Sequence, residues 1–168
     1  SDVAPDLRSR SYRISAEIDT LTEHDSGVLL SHGDATGGYS LYLDNGHLIH
    51  DLNIGGTHQL LTSPQPIPPG HHQVQFRMRR HRQSDGQVRG MATLWVGHEQ
   101  VAELATDKIF NLMISWSGLD VGFDRGTTVG NYASPYKFSG KLHKVTVDLD
   151  DDQELDHEGA GRAEMARE

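Results

Sequence analysis

The chain contains no cysteine among its 168 residues. It therefore has no disulfide framework and no thiolate zinc site. With no signal peptide opening this chain, that favours a cytoplasmic setting. No apolar run approaches the ~20 residues of a membrane span, so no membrane partner is expected. Helical periodicity is missing everywhere before the tail. A basic surface is missing too. The formal charge is −9, but nine acids and only two arginines fall between Asp148 and Glu168. The rest carries 15 acids against 13 bases, close to neutral. Such a surface releases few counterions, which excludes duplex nucleic acid as a partner.

What is present reads as strands. The 18 glycines and 35% apolar content suit an all-β chain with many turns. Its length suits one domain that buries roughly two-thirds of its unfolded surface. Residues 1–10 are polar and read as an arm or linker. Tyr12, Ile14, Ala16 and Ile18 then alternate with polar neighbours, as a half-buried strand does. Gly27 to Ser31 is a short apolar run, the signature of a central strand covered on both faces. Tyr39, Leu41 and Leu43 alternate up to Asn45-Gly46, the pair that a type I′ hairpin turn demands. Gly55-Gly56 makes another turn, and four prolines between Ser63 and Gly70 force an extended loop. Val74, Phe76 and Met78 share one face of a long strand. Gly97-His98 reads as a type II′ turn with glycine first.

The last ordered run, Leu119 to Leu149, organises the whole. Leu119, Val121 and Phe123 point one way, with Asp120, Gly122 and Asp124 opposite. Tyr132, Tyr136 and Phe138 form an aromatic loop that must fold back onto something apolar. Leu142, then Val145, Val147 and Leu149, mark a closing strand. About a dozen strands at hairpin spacing predict an all-β fold, a two-sheet antiparallel jelly-roll sandwich over 11–149. Residues 150–168 are acidic and nearly free of large apolar groups. They are expected to be a solvated tail, so truncation after Asp150 should leave the melting temperature unchanged.

Several motifs stand in a telling order: Gly27-Val28-Leu29-Leu30, Gly37 to Gly46, Leu119 to Asp124, Tyr136 to Gly140 and Lys144 to Leu149. Together they resemble the C-terminal region of a bacterial arylsulfatase, a concanavalin A-like or laminin G-like sandwich. The resemblance implies an accessory domain that packs against a sulfatase catalytic domain. The chemistry itself is absent. No cysteine or serine stands two residues before a proline, so the Cys/Ser-x-Pro-x-Arg motif implied for such sulfatases is missing. A glycanase of the same build needs paired carboxylates on one strand. Glu17 and Asp19 begin that pattern without completing it, and read as solvent-facing strand residues.

The binding candidates are of four kinds. Tyr42, Trp116, Tyr132 and Tyr136 are aromatics that a glycan-binding module, the alternative to the accessory role, would use as platforms. Arg77 and Arg79, with Arg80, Arg82 and Arg89, suit an oxyanion such as sulfate, or else a solvated, aggregation-resistant edge. Asp120 and Asp124 share a strand face where calcium is the only cofactor expected. Eleven histidines, among them His47, His50 and the adjacent His71-His72, read as surface residues rather than ligands. Finally, Met91, Trp95, Ile109 and Met113 are apolar positions opposite the core faces of their strands. They are the expected docking face for the sulfatase domain or for a second copy.

Overall fold

The computed structural model describes residues 5–108 and 119–153. Ten strands lie in these residues. They are β1 (Tyr12–Thr20), β2 (Gly27–Asp34), β3 (Gly37–Asp44), β4 (His47–Ile54) and β5 (Thr57–Thr62). After these come β6 (Gly70–Arg82), β7 (Val88–Val96), β8 (Glu99–Thr106), β9 (Leu119–Val121) and β10 (Lys141–Leu149). One five-stranded sheet has the order β10-β1-β6-β7-β8, the other β5-β4-β3-β2-β9, and neighbouring strands run antiparallel. Residues 109–118, which include the candidates Ile109, Met113 and Trp116, lie outside the described residues.

Alternation places the core. Ile14, Ala16 and Ile18 from β1 meet Val74, Phe76 and Met78 from β6, with Ala92 and Leu94 from β7 beside them. Against these sit Tyr39, Leu41 and Leu43 of β3 and Leu48 and Leu52 of β4. The Asn45-Gly46 turn has positive φ at both residues, 49° and 81°, as type I′ requires. Only Gly97 is left-handed in its turn, at 59°, in keeping with type II′.

The two sheets differ in what covers them. The central strands β2, β3 and β4 of the β5-to-β9 sheet are buried on both sides. The outer face of that sheet carries Val28, Tyr42 and Ile49, onto which Tyr132 and Tyr136 of the aromatic loop fold. That loop is pinned by Val28 N donating to the Tyr136 carbonyl at 2.8 Å and Ser139 N to that of Ser26 at 2.9 Å. A strand with both faces covered has no need to alternate, which explains the continuous apolar run of β2. The β10-to-β8 sheet keeps its outer face open.

Four expectations need correction. Leu119 packs on the core as the amphipathic reading expects, but Val121 is exposed and Asp120 buried, against it. β9 is a three-residue edge strand, and Asp120 is covered by Arg125, whose Nε lies 2.8 Å from its carboxylate. His50, expected at the surface, is buried in the core row between Leu48 and Leu52. The arm is not a loose linker either. Leu7 joins the core at 2% exposure. Nor does the acidic tail leave the body at Asp150. The Asp152 carboxylate accepts from Ser11 N at 2.7 Å and Ser11 Oγ at 2.5 Å, while Arg80 Nη1 donates to the Asp152 carbonyl at 3.1 Å.

These contacts change the truncation that should be silent. Cutting after Gln153 is expected to leave the melting temperature unchanged. Asp152→Ala removes two hydrogen bonds to a charged acceptor, each worth about 1.5–3 kcal/mol when buried and less at this half-exposed site. A loss of about 1–2 kcal/mol is expected by denaturant titration. An unchanged midpoint would show that the latch contributes nothing.

Candidate functional site

The open sheet face is where the polar side chains of three strands converge. On β1 the outward positions are Arg13, Ser15, Glu17 and Asp19, and on β6 they include Gln73, Gln75, Arg77 and Arg79. Pairing sets β1 between β6 and β10, so Ser15 faces Gln75 on one side and Thr146 on the other. The result is a shallow groove of about 230 Å³ lined by Arg13, Ser15, Glu17, Gln73, Gln75, Lys144, Thr146 and Asp148. Closed ligand pockets run to roughly 300–1,000 Å³. This groove suits a single polar ring laid on a sheet.

Its electrostatics turn on one register pair. Arg13 and Arg77 are directly opposite each other on β1 and β6. Directly opposed like charges destabilise a sheet, and two neighbours temper this one. Arg13 Nε lies 3.5 Å from Asp148, across on β10. Arg77 donates from Nε and Nη2 to Gln75 Oε1 at 3.0 and 2.7 Å, and its guanidinium lies 4.0 Å from the centre of the Trp95 ring. Partial burial, then the charge of Arg13, hold Arg77 below the usual guanidinium range.

The predicted residues divide as follows. Arg77, Arg79 and Arg89 share the open face, whereas Arg80 and Arg82 fall on the opposite parity. Arg80 is spent on the Asp152 carbonyl, so the five arginines do not form one patch. Met91 and Trp95 do face away from the core, half-buried. The proline-rich loop closes the sandwich end, through Ile67 N to the Gly46 carbonyl and Thr20 Oγ1 to that of Pro68. With Arg77 over Trp95, the face is cationic and aromatic rather than simply apolar. Ile109, Met113 and Trp116 lie outside the described residues.

The tyrosine platform is corrected at Tyr42. Tyr42 is 6% exposed beneath Tyr132 and Tyr136, with ring centroids 5.0 and 6.1 Å away. Tyr132 and Tyr136 stack on each other at 4.8 Å. The Tyr132 hydroxyl donates to Asp124 at 2.5 Å and also meets Ser40 Oγ at 2.7 Å. These rings hold the loop down, with Tyr42 buried and Tyr132 and Tyr136 each giving one face to the other. The cleft beside them, about 590 Å³ lined by His58, Asn131 and Tyr132 among others, has its main hydroxyl already engaged.

Asp124 also accepts from Val129 N at 3.0 Å, and burial raises its pKa despite these bonds. Asp120 is held by Arg125, through both N at 2.9 Å and Nε. Calcium at this pair would have to displace Arg125 and Tyr132.

Arg13, Lys144 and the two glutamines escaped notice because nothing local marks them. Only the pairing of β1 with β6 and β10 brings them together.

The fold is an antiparallel jelly-roll sandwich, with five strands in each sheet among the described residues. No protein-family model and no curated protein matches the chain. Among solved structures it is similar to a Ruminococcus gnavus IT-sialidase CBM40 bound to α2,3-sialyllactose. The TM-score is 0.60 at 20% identity, over 87% of this chain and 80% of that one. It is also similar to mouse laminin α1 chain domains LG4-5, with a TM-score of 0.62 at 16% identity, over 89% of this chain and 39% of that one. A leech intramolecular trans-sialidase gives 0.58 at 18% identity, over 94% of this chain and 23% of that one. The arylsulfatase part of the sequence resemblance gains no support from these comparisons.

Proposed function

We propose that this chain is a non-catalytic glycan-binding module that takes an acidic sugar on its open sheet face. The observation that carries the reading is the opposed pair Arg13 and Arg77 beside a polar groove. Two arginines at directly opposed positions destabilise an empty sheet but suit a carboxylate, whose charge offsets both and which can accept from the donors they have left. Gln73, Gln75, Ser15 and Thr146 offer hydroxyl and amide partners for sugar hydroxyls. The likeness to modules seen with sialyllactose, and to a trans-sialidase, supports a sialylated ligand in particular. The accessory role beside a sulfatase domain has no comparable support.

Calorimetric titration with α2,3-sialyllactose, with lactose as the neutral control, tests the reading. Binding to the first and none to the second is expected. Arg77→Ala removes a charge-assisted contact of about 1.5–3 kcal/mol, so affinity should fall roughly 10- to 100-fold. Arg82→Ala, on the other face, should bind as the parent does. Equal affinity for both sugars, or none for either, would overturn it.

A further inference from the structure

At the end of the open face that holds Gly70 and Lys141, three side chains from three strands meet at one point. Asp19 of β1 receives His71 Nδ1 of β6 on Oδ1 at 2.7 Å and His143 Nε2 of β10 on Oδ2 at 2.8 Å. The two imidazole rings are 5.6 Å apart and tilted by 59°. One donor atom from each residue lies within 4.8 Å of the other two. His71 and Asp19 are partners in the register, so their meeting is ordinary. His143 is different. Glu17 pairs with Lys144 and Ile18 with Leu142, leaving His143 as the extra residue of a β-bulge. Leu142, Val145 and Val147 all pack on the core. Without the bulge, strict alternation could not place Leu142 and Val145 on one face. A bulge interrupts the ladder and re-aims a side chain, and here it turns His143 out onto Asp19.

The geometry points to a divalent transition-metal site, zinc being the ion the donors fit best, formed by Asp19, His71 and His143. Two imidazole nitrogens and one carboxylate oxygen are a borderline donor set, suited to zinc, copper or nickel. They do not suit calcium or magnesium, which take oxygen shells of six or more ligands. Zinc bonds of about 2.0–2.2 Å set such donors just over 3 Å apart, so the two His–Asp contacts, now 2.7 and 2.8 Å, open slightly to admit the ion. In the hydrogen-bonded triad the imidazole N–H groups face the carboxylate. Binding needs only the other tautomer of each ring, which turns both lone pairs inward. Side-chain exposure is 64% for His71, 32% for His143 and 36% for Asp19, so the ion would keep an outward coordination position. Lys141 stands opposite Asp19 in the register and Lys144 opposite Glu17, so both cations flank the site. The inference is independent of the glycan reading.

The test uses tag-free protein at neutral pH. Zinc titration by calorimetry is expected to give one ion per chain. A hundredfold excess over the dissociation constant should raise the melting temperature by about 5–10 °C. His71→Ala, His143→Ala and Asp19→Asn should each weaken zinc by at least about tenfold. His98→Ala, on the β7–β8 turn, should not. Calcium and magnesium should produce no shift. His71 and His143 are exposed, so their variants should melt like the parent without zinc, separating ligand loss from misfolding. Absence of zinc binding would overturn the inference, as would equal binding by His71→Ala and the parent, or loss in His98→Ala. In those cases the triad is a hydrogen-bonded surface cluster.

Discussion

Between neutral pH and pH 4 the domain is expected to lose roughly 3 kcal/mol of stability through one residue, His50. Its ring lies on the inner face of β4, 3% exposed, stacked on Phe76 at 3.4 Å and nearly parallel. Tyr39 lies beyond, at 6.4 Å. Its Nε2 is buried with no hydrogen-bond partner among the described residues. Burial alone pushes its pKa down to about 3, against about 6.5 in an unfolded chain. A base with a depressed folded pKa binds fewer protons folded than unfolded throughout that interval. Stability therefore falls as pH drops from about 6.5 towards 3, by up to about 1.4 kcal/mol per pH unit. Against a total of roughly 5–15 kcal/mol this is a large share.

Two acids act in the opposite direction. Burial raises the pKa of Asp51 and of Asp124, so protonating them favours the folded state as pH falls. Comparing variants cancels that contribution. His50→Leu keeps the volume and removes the unpartnered nitrogen, at a cost below about 1.5 kcal/mol at neutral pH. Denaturant titrations at pH 7 and pH 4 should show the variant losing about 3 kcal/mol less than the parent. Identical pH dependence in the two proteins would mean that His50 is not the acid-sensitive group.

Gly46→Ala is the second large effect, with more than about 3 kcal/mol lost or no folding at all. The residue has φ of 81°, and a Cβ there would sit 2.0 Å from the Glu23 carbonyl oxygen and 2.9 Å from Pro66 Cβ. Backbone cannot step aside as a flexible side chain can. Gly46 N also donates to the Asp25 carbonyl, and its own carbonyl accepts from Ile67 N, both at 2.8 Å. Three chain segments thus converge on one missing methyl. Gly55→Ala is the matched control, with φ of 62° and nothing within 4 Å of the added carbon. Only the left-handed backbone penalty of about 1–2 kcal/mol applies there. Midpoints that shift equally for the two variants would show that the turn conformation alone sets the cost.

The contrast between those glycines also separates what was legible in the sequence from what was not. Asn45-Gly46 announces its turn type because φ is a local property. That Glu23 crosses above it depends on a loop more than 20 residues away and leaves no local trace. The core rows of β1 and β6 followed from alternation, and the aromatic loop folded onto apolar residues as its composition required. His50 was legible too. Leu48, His50 and Leu52 occupy one row, yet its polar side chain suggested a surface position. Arg13 and Arg77 lie 64 positions apart in the sequence, and only strand order makes them neighbours. The step of three from Leu142 to Val145 was a visible break in period, and it is the signature of the bulge at His143.

That bulge is one residue of surplus length, and surplus length can be deleted. Removing His143 alone leaves Leu142, Val145 and Val147 facing the core and Lys144 facing out, with the β1–β10 ladder closed into plain register. An insertion or deletion of one codon therefore adds or removes the third ligand without disturbing a single core contact. The sandwich can gain or shed that corner chemistry through evolution while its interior stays under unchanged selection.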